Sequence, residues 1–302
     1  MKKCPGIPVG RFAPSPTGPL HFGSLLTAVA SYAEAKSKGG CWLVRIEDID
    51  PPREMPAADK LILGTLETYG FEWDDTPAYQ SSFSSHHYQV AQKLIKDKNA
   101  YHCTCSRKDL SKTQTGILGT IYPGTCRNGC ANGDFAIRIR TNDELIGFKD
   151  LLQGTYEQRL ESKSGDFIIV RKDDLIAYNL AVVIDDFQQG ITEVVRGIDL
   201  LTSTPRHIWL QQVLGFPTPS YMHIPVAVNN DGQKLSKLTG ATGIDSSKPN
   251  LILFKTLQAL RQNPPPELAL EKPITIWQWV MENWSVAPLK KETVVCASKH
   301  GF

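Results

Sequence analysis

The chain has 302 residues, enough for one large hydrophobic core or two smaller ones, and its 41% hydrophobic and 21% charged residues are typical of globular proteins. This composition excludes an intrinsically disordered chain. The formal net charge of +2 neither requires nor excludes a nucleic-acid partner, so any surface that binds nucleic acid has to be a local basic patch.

Nothing in the sequence predicts a membrane protein. Two lysines near the start are not followed by an apolar run, and the longest apolar stretches, such as residues 180–184, are too short to cross a bilayer. We therefore expect a cytoplasmic protein without membrane contact. In that reducing compartment the seven cysteines are expected to be thiols or metal ligands more readily than disulfides.

The first fifty residues predict the order strand, turn, helix, strand. Residues 9–12 are predicted as a strand, followed by a turn rich in proline and glycine at 13–19. Apolar residues at near-helical spacing predict a helix at 24–35, and alternation predicts a buried strand at 41–46. This order is typical of the opening of an α/β doubly wound parallel sheet of the Rossmann type.

The middle of the chain predicts a small mixed insertion. Two helices are predicted at 57–69 and 85–98. Residues 101–130 are rich in cysteine, glycine, threonine and proline and show no period, so a metal could replace a hydrophobic core there. Short strands are predicted at 135–140 and 167–171.

The last third of the chain returns to regular elements. Strands are predicted at 179–185 and 193–195, and a helix at 204–214, where Thr-Pro is a good start signal. The tail at 250–284 is predicted to be helical, with an interruption at the Asn-Pro-Pro-Pro of 263–266.

The first candidate site is the segment 11–24, where a predicted strand leads into a helix N-terminus. Gly18 and Gly23 would let a ligand approach the backbone, and the unpaired N–H groups of a helix N-terminus suit nucleotide phosphates. His21 could donate to a phosphate oxygen as charge develops in a transition state. The alternative is a structural turn with a capping histidine, which is the more frequent situation for an isolated His-x-Gly.

The second candidate site is the sequence Lys234-Leu235-Ser236-Lys237, which follows a glycine-bearing loop. Two lysines three residues apart on a loop can reach one anion. The alternative is a solvated lysine loop, and the pattern alone does not decide between them.

Taken together, these two segments resemble the HIGH-type and KMSKS-type signatures of the glutamyl/glutaminyl branch of class I aminoacyl-tRNA synthetases. Four further blocks occur in the family's order, and they lie at residues 45–50, 70–74, 178–186 and 195–201. The resemblance covers residues 8–240. Ser24 stands where the class signature has a second histidine, so that position's role is not carried over.

The resemblance implies that ATP, with Mg²⁺, activates L-glutamate to glutamyl-adenylate before transfer to a tRNA. The positions that match the family's glutamate contacts are Arg11, Ala13, Ser15, Glu47, Tyr178 and Arg196. The positions that match its ATP contacts are His21, Gly23, Lys234, Ser236 and Lys237, of which His21 and Lys237 are the catalytic candidates.

Glutamate recognition needs a cation for each carboxylate and an anion for the ammonium group, since an unpaired buried charge is costly. Arg11 and Arg196 are the candidate cations, and Glu47 is the candidate anion. The sequence leaves open which arginine holds the side-chain carboxylate. It also leaves open that these three residues form structural ion pairs and that Tyr178 belongs to the core.

A cysteine cluster predicts a zinc site. From spacing alone, Cys103, Cys105, Cys126 and Cys130 form a candidate four-cysteine set. A resemblance to a short bacterial paralogue of glutamyl-tRNA synthetase implies instead Cys103, Cys105, Tyr122 and Cys126, with Cys130 as the rival fourth ligand. Reduced cysteines without metal are the third possibility.

About 65 residues follow Lys237, enough for a small helical domain but too few for an added anticodon-binding domain. The resemblance therefore points to the truncated paralogue, a monomer that attaches glutamate to queuosine in the anticodon loop of tRNA(Asp). The alternatives are a truncated glutamyl-tRNA synthetase that charges the 3′ end of tRNA(Glu), and a non-catalytic tRNA-binding paralogue. The predicted domains are a catalytic domain at 1–80 and 178–240, a zinc-containing acceptor-binding-like insertion at 81–177 and a helical stem-contact-like domain at 241–302.

Overall fold

A parallel sheet forms the centre of the computed structural model, which describes residues 6–235 and 243–302. Strand β1 (Val9–Phe12) pairs in parallel with β2 (Cys41–Ile46), and helix α1 (Phe22–Ser37) connects them. The short strand β3 (Ala78–Tyr79) extends the sheet in parallel on the other side of β2. The predicted strand–helix–strand opening is confirmed.

Helix α1 is buried on nearly all sides, which explains its continuous alanine and leucine content. The helix can pack closely against β1 because residue 10 is a glycine. A Cβ atom at Gly10 would lie 3.0 Å from the Cβ of Ala35. The packing of α1 therefore fixes the distance between its first turn and the end of β1.

A second pair of parallel strands, formed later in the chain, lies beside β1. Strand β11 (Glu193–Gly197) lies beside β1, where the Thr192 N–H donates to the Val9 carbonyl at 3.0 Å. Strand β12 (Ser220–Ile224), which was not predicted, pairs in parallel with β11, and the predicted helix α6 (Thr204–Leu214) connects the two. All the paired strands of this central sheet are thus parallel.

The strand predicted at 179–185 is wrong, because this segment lies in helix α5 (Tyr178–Gln188). Its residues 180–186 are all buried, so the helix shows a continuous apolar run without the periodicity of an amphipathic helix. A short buried helix and a buried strand cannot be told apart by such a run.

Between β3 and α5 lies a mixed segment that contains the predicted strands. Its elements are α3 (Ser84–Lys96), β4 (Ala100–Cys103), β5 (Thr115–Gly116), β6 (Gly119–Thr120), β7 (Ala136–Ile139), β8 (Leu145–Asp150), β9 (Gly154–Arg159), α4 (Leu160–Lys163) and β10 (Ile168–Val170). Strand β7 pairs antiparallel with both β4 and β10, and β8 and β9 form a hairpin.

The remaining elements lie against the central parallel sheet. They are α2 (Ala58–Thr68), the parallel pair β13 (Val226–Val228) and β14 (Val294–Cys296), and the helices α7 (Pro249–Ala259) and α8 (Pro273–Asn283). Leu257 of α7 and Trp277 of α8 belong to the same buried cluster as α1 and β2. No helix among the described residues has the length and apolar character needed to cross a membrane.

Candidate active site

A cavity of about 320 Å³ opens where β1, β2 and β11 end. In open parallel sheets the carboxyl ends of the strands are the usual place for ligands. The predicted site residues that line this cavity are Arg11, Ala13, Ser15, His21, Gly23, Glu47, Tyr178, Arg196 and Lys234. Ser236 and Lys237, which were also predicted, lie outside the described residues.

Arg11 is held by a buried carboxylate. Its Nε and Nη2 donate to Asp186 at 3.2 and 3.3 Å, and Arg45 Nη1 lies 2.8 Å from the same carboxylate. Arg45 Nη2 lies 3.2 Å from Glu47 Oε1. Two guanidiniums and two carboxylates therefore form one buried network beneath the cavity, so the charge of Arg11 is already compensated.

The network changes how its two acids titrate. Burial opposes ionisation of Asp186, but the charges of Arg11 and Arg45 outweigh it and hold its pKa below the ordinary value. Burial raises the pKa of Glu47, and the same arginines offset this only in part. Asp186 is thus the fixed anion of the network, whereas an added cation would stabilise the ionised form of Glu47.

Arg196, on the opposite wall, is held by neutral groups. Its Nε donates to His223 Nε2 at 3.1 Å, and its Nη1 lies 3.1 Å from His207 Nδ1. Its Nη2 donates to the Thr204 hydroxyl at 2.8 Å. Because an arginine can only donate, both of these ring nitrogens must be acceptors.

The two histidines are kept in defined tautomers by their second nitrogens. His223 Nδ1 lies 2.6 Å from Asp150 Oδ2, and His207 Nε2 lies 2.9 Å from Asn179 Oδ1. Burial, strengthened by the charge of Arg196, lowers the pKa of His223 and places that of His207 well below the ordinary 6.5. Both rings are therefore neutral near pH 7, and the charge of Arg196 is left for a ligand.

Tyr178 stands at the start of α5 between these two walls. Its ring meets that of His207 edge to face at a centroid distance of 5.6 Å. Burial raises the pKa of the Tyr178 phenol, so the hydroxyl keeps its proton and can donate to a ligand in the cavity.

The first candidate segment, residues 11–24, ends in a cap at the N-terminus of α1. His21 Nδ1 accepts from the Ser24 N–H at 3.3 Å, and the Ser24 hydroxyl accepts from the His21 N–H at 2.8 Å. Serine thus completes a reciprocal capping box where the class signature has a second histidine. Since Nδ1 accepts, the proton of a neutral His21 is on Nε2.

Gly23 is required by the same cap. A Cβ atom at residue 23 would lie 3.1 Å from His21 Cε1 and 3.2 Å from Nδ1. Any side chain at this position would press on the imidazole ring. The glycine therefore keeps both the ring position and the first turn of α1 accessible.

Lys234 reaches the cavity from the segment after β13. Its Nζ lies 2.6 Å from Asp199 Oδ2, and both residues line the cavity. Half of the Lys234 side chain is exposed, so this pair is screened by solvent and can exchange partners at low cost.

The cysteine cluster lies in the mixed segment, apart from this cavity. The Sγ atoms of Cys103, Cys105 and Cys126 lie within 4.8 Å of one another. Tyr122 Oη lies 3.4 Å from Cys103 Sγ and 3.6 Å from Cys105 Sγ. Cys130, the rival ligand, is exposed and outside this group.

The arrangement of these four groups fits a tetrahedral metal. Ligands of a zinc ion with bonds of about 2.3 Å stand roughly 3.8 Å apart, and Cys105 Sγ and Cys126 Sγ are 3.6 Å apart. Arg138 Nε also donates to Cys103 Sγ at 3.3 Å. The expectation that the cysteines are not disulfides is wrong at Cys41, which is disulfide-bonded.

Sequence reasoning missed the groups that hold the two arginines. Asp186 and Arg45 lie within blocks that carried the family resemblance, but no local pattern connects them to Arg11. His207 and His223, which contact Arg196, and Asp150, which contacts His223, were missed entirely, because only the fold brings them together. The available signal was chemical, since a guanidinium predicted to be buried requires acceptors.

A parallel sheet that places a capped helix N-terminus beside buried, charged side chains is typical of the catalytic domain of a class I synthetase. The family model for the catalytic domain of class I tRNA synthetases (E and Q) matches residues 9–250, and the chain belongs to this family. A glutamate–tRNA synthetase from Elizabethkingia anophelis has the same fold, with a TM-score of 0.80 at 23% identity, over 97% of this chain and 69% of that one.

Within this family, the chain is similar along nearly its whole length to proteins named glutamyl-Q tRNA(Asp) synthetase. That of Ectopseudomonas mendocina is 46% identical over 96% of this chain and 98% of its own length. That of Pseudomonas aeruginosa is 48% identical over 94% and 95%, and that of Neisseria meningitidis 47% over 94% and 98%. The predicted resemblance to this group of ligases is confirmed.

Proposed function

We propose that this protein uses ATP to convert L-glutamate to glutamyl-adenylate and then transfers the glutamyl group to queuosine in the anticodon loop of tRNA(Asp). The names of its near full-length relatives support this acceptor over the 3′ end of tRNA(Glu). The observation that carries the proposal is the meeting of Arg11, Arg196 and Glu47 on one cavity.

The different partners of the two arginines support a pose for glutamate. Arg196 has neutral partners, so it is the better cation for the side-chain carboxylate. Glu47 is stabilised by an added cation and receives the ammonium group. Arg11 stands on the same wall as Glu47. Further contacts to glutamate are proposed for the Tyr178 hydroxyl and for two residues just beyond the end of β1, Ala13 and Ser15.

ATP is proposed to bind at the first turn of α1, where His21 Nε2 donates to a phosphate and Gly23 admits the nucleotide. Lys234 exchanges Asp199 for phosphate, and Ser236 and Lys237 are assigned by the family resemblance alone. Mg²⁺ bound to the ATP phosphates would neutralise part of their charge. The glutamate α-carboxylate oxygen attacks the α-phosphorus, a P–O bond forms, and pyrophosphate leaves with the electrons of the broken bond.

In the second step a hydroxyl oxygen of queuosine attacks the carbonyl carbon of the adenylate. An ester C–O bond forms, the mixed-anhydride C–O bond breaks, and AMP leaves with its electron pair. The hydroxyl proton passes to a phosphate oxygen of AMP. No enzyme nucleophile is needed, because positioning and charge stabilisation are sufficient.

Zn²⁺ is proposed to bind Cys103, Cys105, Tyr122 and Cys126, with a structural role, since the cluster lies outside the glutamate cavity. The proposed domains are the predicted ones. They are a catalytic domain at residues 1–80 and 178–240, an acceptor-binding-like insertion at 81–177 and a helical stem-contact-like domain at 241–302. The chain is proposed to act as a cytoplasmic monomer.

The test uses bulk tRNA from cells with and without queuosine, incubated with enzyme, ATP and labelled glutamate. Label is expected only in the queuosine-containing pool, and it should persist in tRNA whose 3′-terminal adenosine has been removed. Pyrophosphate exchange with ATP and glutamate is expected without any tRNA. Lys237→Ala is the control, expected to lose exchange while binding glutamate nearly as well as the unmodified enzyme.

Each alternative gives a different result. Equal labelling of both pools contradicts a queuosine acceptor, and label that disappears with the 3′-terminal adenosine indicates a truncated glutamyl-tRNA synthetase. A protein that binds tRNA but supports no exchange would be a non-catalytic paralogue.

A further inference from the structure

A second cavity, of about 190 Å³, lies beside the glutamate cavity and shares part of its wall. Ser15, Thr17, Glu47 and Tyr178 line both. A group seated in the second cavity is therefore next to the proposed position of the activated glutamate. This cavity is called the acceptor cavity below.

The acceptor cavity contains a buried hydrogen-bond acceptor without a partner. Gln80 is fully buried, and its Nε2 donates to Asp185 at 2.6 Å. Asp185 is fixed in turn by His87, 2.6 Å away, so the amide orientation is set. The Gln80 Oε1 finds no hydrogen-bond partner among residues 6–235 and 243–302. An unpaired buried carbonyl is unfavourable and is relieved when a ligand donates to it.

One oxygen of a half-buried carboxylate in the same cavity also lacks a partner among the described residues. The Oε1 of Glu54 is buried and has no partner in the described part of the chain. Burial raises the pKa of Glu54, and the like charges of Asp48 and Asp50 add to the effect. A cation brought to this point would relieve both the burial and the repulsion.

The cations at the rim do not supply this charge. Arg53 is bonded to Asp50. Arg171 lies 3.3 Å from Asp50 Oδ1 and 2.6 Å from Asp173 Oδ2. Both arginines are thus already committed to aspartates, and the interior of the cavity offers acceptors in excess.

We propose that the acceptor cavity binds the cationic, hydroxyl-bearing side chain of the acceptor base, with Glu54 facing its ammonium group and Gln80 Oε1 accepting from it or from a ring hydroxyl. This inference rests on the proposed function. The queuosine base carries a secondary amine, protonated at neutral pH, that links it to a cyclopentene ring with two hydroxyl groups. A ring that enters this cavity brings a hydroxyl to the wall shared with the glutamate cavity.

This assignment also explains how the enzyme would reject an ordinary acceptor end. A neutral terminal adenosine offers no cation to Glu54, so binding it leaves Glu54 Oε1 buried without a partner. Leaving a buried polar group unpaired is an efficient way to discriminate. Selection of the acceptor would therefore be electrostatic as well as steric.

A basic cavity next to the acceptor cavity suits the rest of a nucleotide. It is lined by Arg107, Arg138 and Lys172, and Arg171 lines both cavities. Arg107 and Lys172 are exposed. These two exposed cations can receive the phosphodiester of a base that is seated in the acceptor cavity.

The test separates transfer from activation. Glu54→Gln removes the charge at nearly constant shape, and the matched control Glu67→Gln changes an exposed carboxylate of α2 outside both cavities. Glu54→Gln is expected to keep glutamate-dependent pyrophosphate exchange within about twofold and to lower kcat/KM for queuosine-containing tRNA(Asp) by about 10- to 100-fold. Glu54→Asp should recover part of this loss, and Glu67→Gln should change neither rate.

A small probe gives an independent measurement. The free base 7-aminomethyl-7-deazaguanine carries the cationic amine but no ring hydroxyl that could be acylated. It should inhibit transfer by the unmodified enzyme, and inhibit Glu54→Gln about tenfold less.

The outcomes distinguish the inference from the proposed function. If the unmodified enzyme does not label queuosine-containing tRNA, the proposed function fails. If it does, and Glu54→Gln transfers equally well or loses exchange in parallel, the assignment of the acceptor cavity is wrong.

Discussion

Arg11 and Arg196 line the same cavity but are held in opposite ways. Arg11 is bonded to the buried carboxylate of Asp186, whereas Arg196 is bonded to two neutral histidines and a threonine hydroxyl. A guanidinium that is already neutralised contributes shape and hydrogen bonds, and one with neutral partners contributes its full charge. Two arginines that look equivalent in the sequence therefore have different tasks.

The sharpest test of this difference is Arg196→Ala. Loss of the cation leaves the glutamate side-chain carboxylate unpaired, which costs about 3–5 kcal/mol, or roughly 10²- to 4 × 10³-fold in kcat/KM for glutamate. Discrimination against glutamine should fall with it. Pyrophosphate exchange with both amino acids measures this, with the exposed Arg261→Ala as control. If Arg11→Ala instead abolishes discrimination, the two roles are reversed.

Asp186→Asn should affect stability more than specificity. It leaves Arg11 and Arg45 buried with excess positive charge, so the free energy of unfolding should drop by about 3 kcal/mol. Urea denaturation measures the change. A variant of unchanged stability would mean that solvent already screens this network.

His223→Asn should act more mildly, through the position of Arg196. The shorter amide cannot reach both Asp150 and Arg196, so the guanidinium loses one fixed acceptor. We expect KM for glutamate to rise about tenfold while kcat at saturating glutamate stays within about twofold. A fall in kcat alone would contradict a positioning role.

The smallest expected effect is a pH dependence of stability. The folded pKa of His207 lies well below 6.5, so below that pH the unfolded chain binds a proton that the folded chain does not. The free energy of unfolding should fall on acidification by at most about 1.4 kcal/mol per pH unit for this group, and be retained at higher pH. His207→Asn should reduce the slope between pH 6.5 and 5, and an unchanged slope would show that other groups cause it.

The sequence predicts those features that depend on neighbouring residues. Short patterns and turn residues predict the limits of β1 and β2 and the start of α6. The HIGH-type signature around His21 likewise predicts which helix N-terminus faces the nucleotide. Helix α5 was mispredicted because burial on every side removed its periodicity. Asp186 stands 175 residues from Arg11, and no pattern in a single chain connects charges at that separation.

The proposed zinc ligands show a different limit. Spacing gave four thiols, and only the family resemblance favoured Tyr122 over Cys130. The distances from Tyr122 Oη to Cys103 and Cys105 agree with that choice, while Cys130 lies at the surface. Metal analysis of Cys126→Ser and Cys130→Ser would test it, since only the former should lose zinc.

Helix α8 packs against α1 and against the residue that ends α2. Trp277 Nε1 donates to the Tyr69 carbonyl at 2.9 Å, and its ring meets Tyr32 of α1 edge to face at 4.6 Å. The helical tail therefore shares one buried cluster with α1, whose opposite end carries the histidine cap. Removing the tail would expose this cluster to water, so the shortened enzyme should unfold rather than remain as a smaller active one.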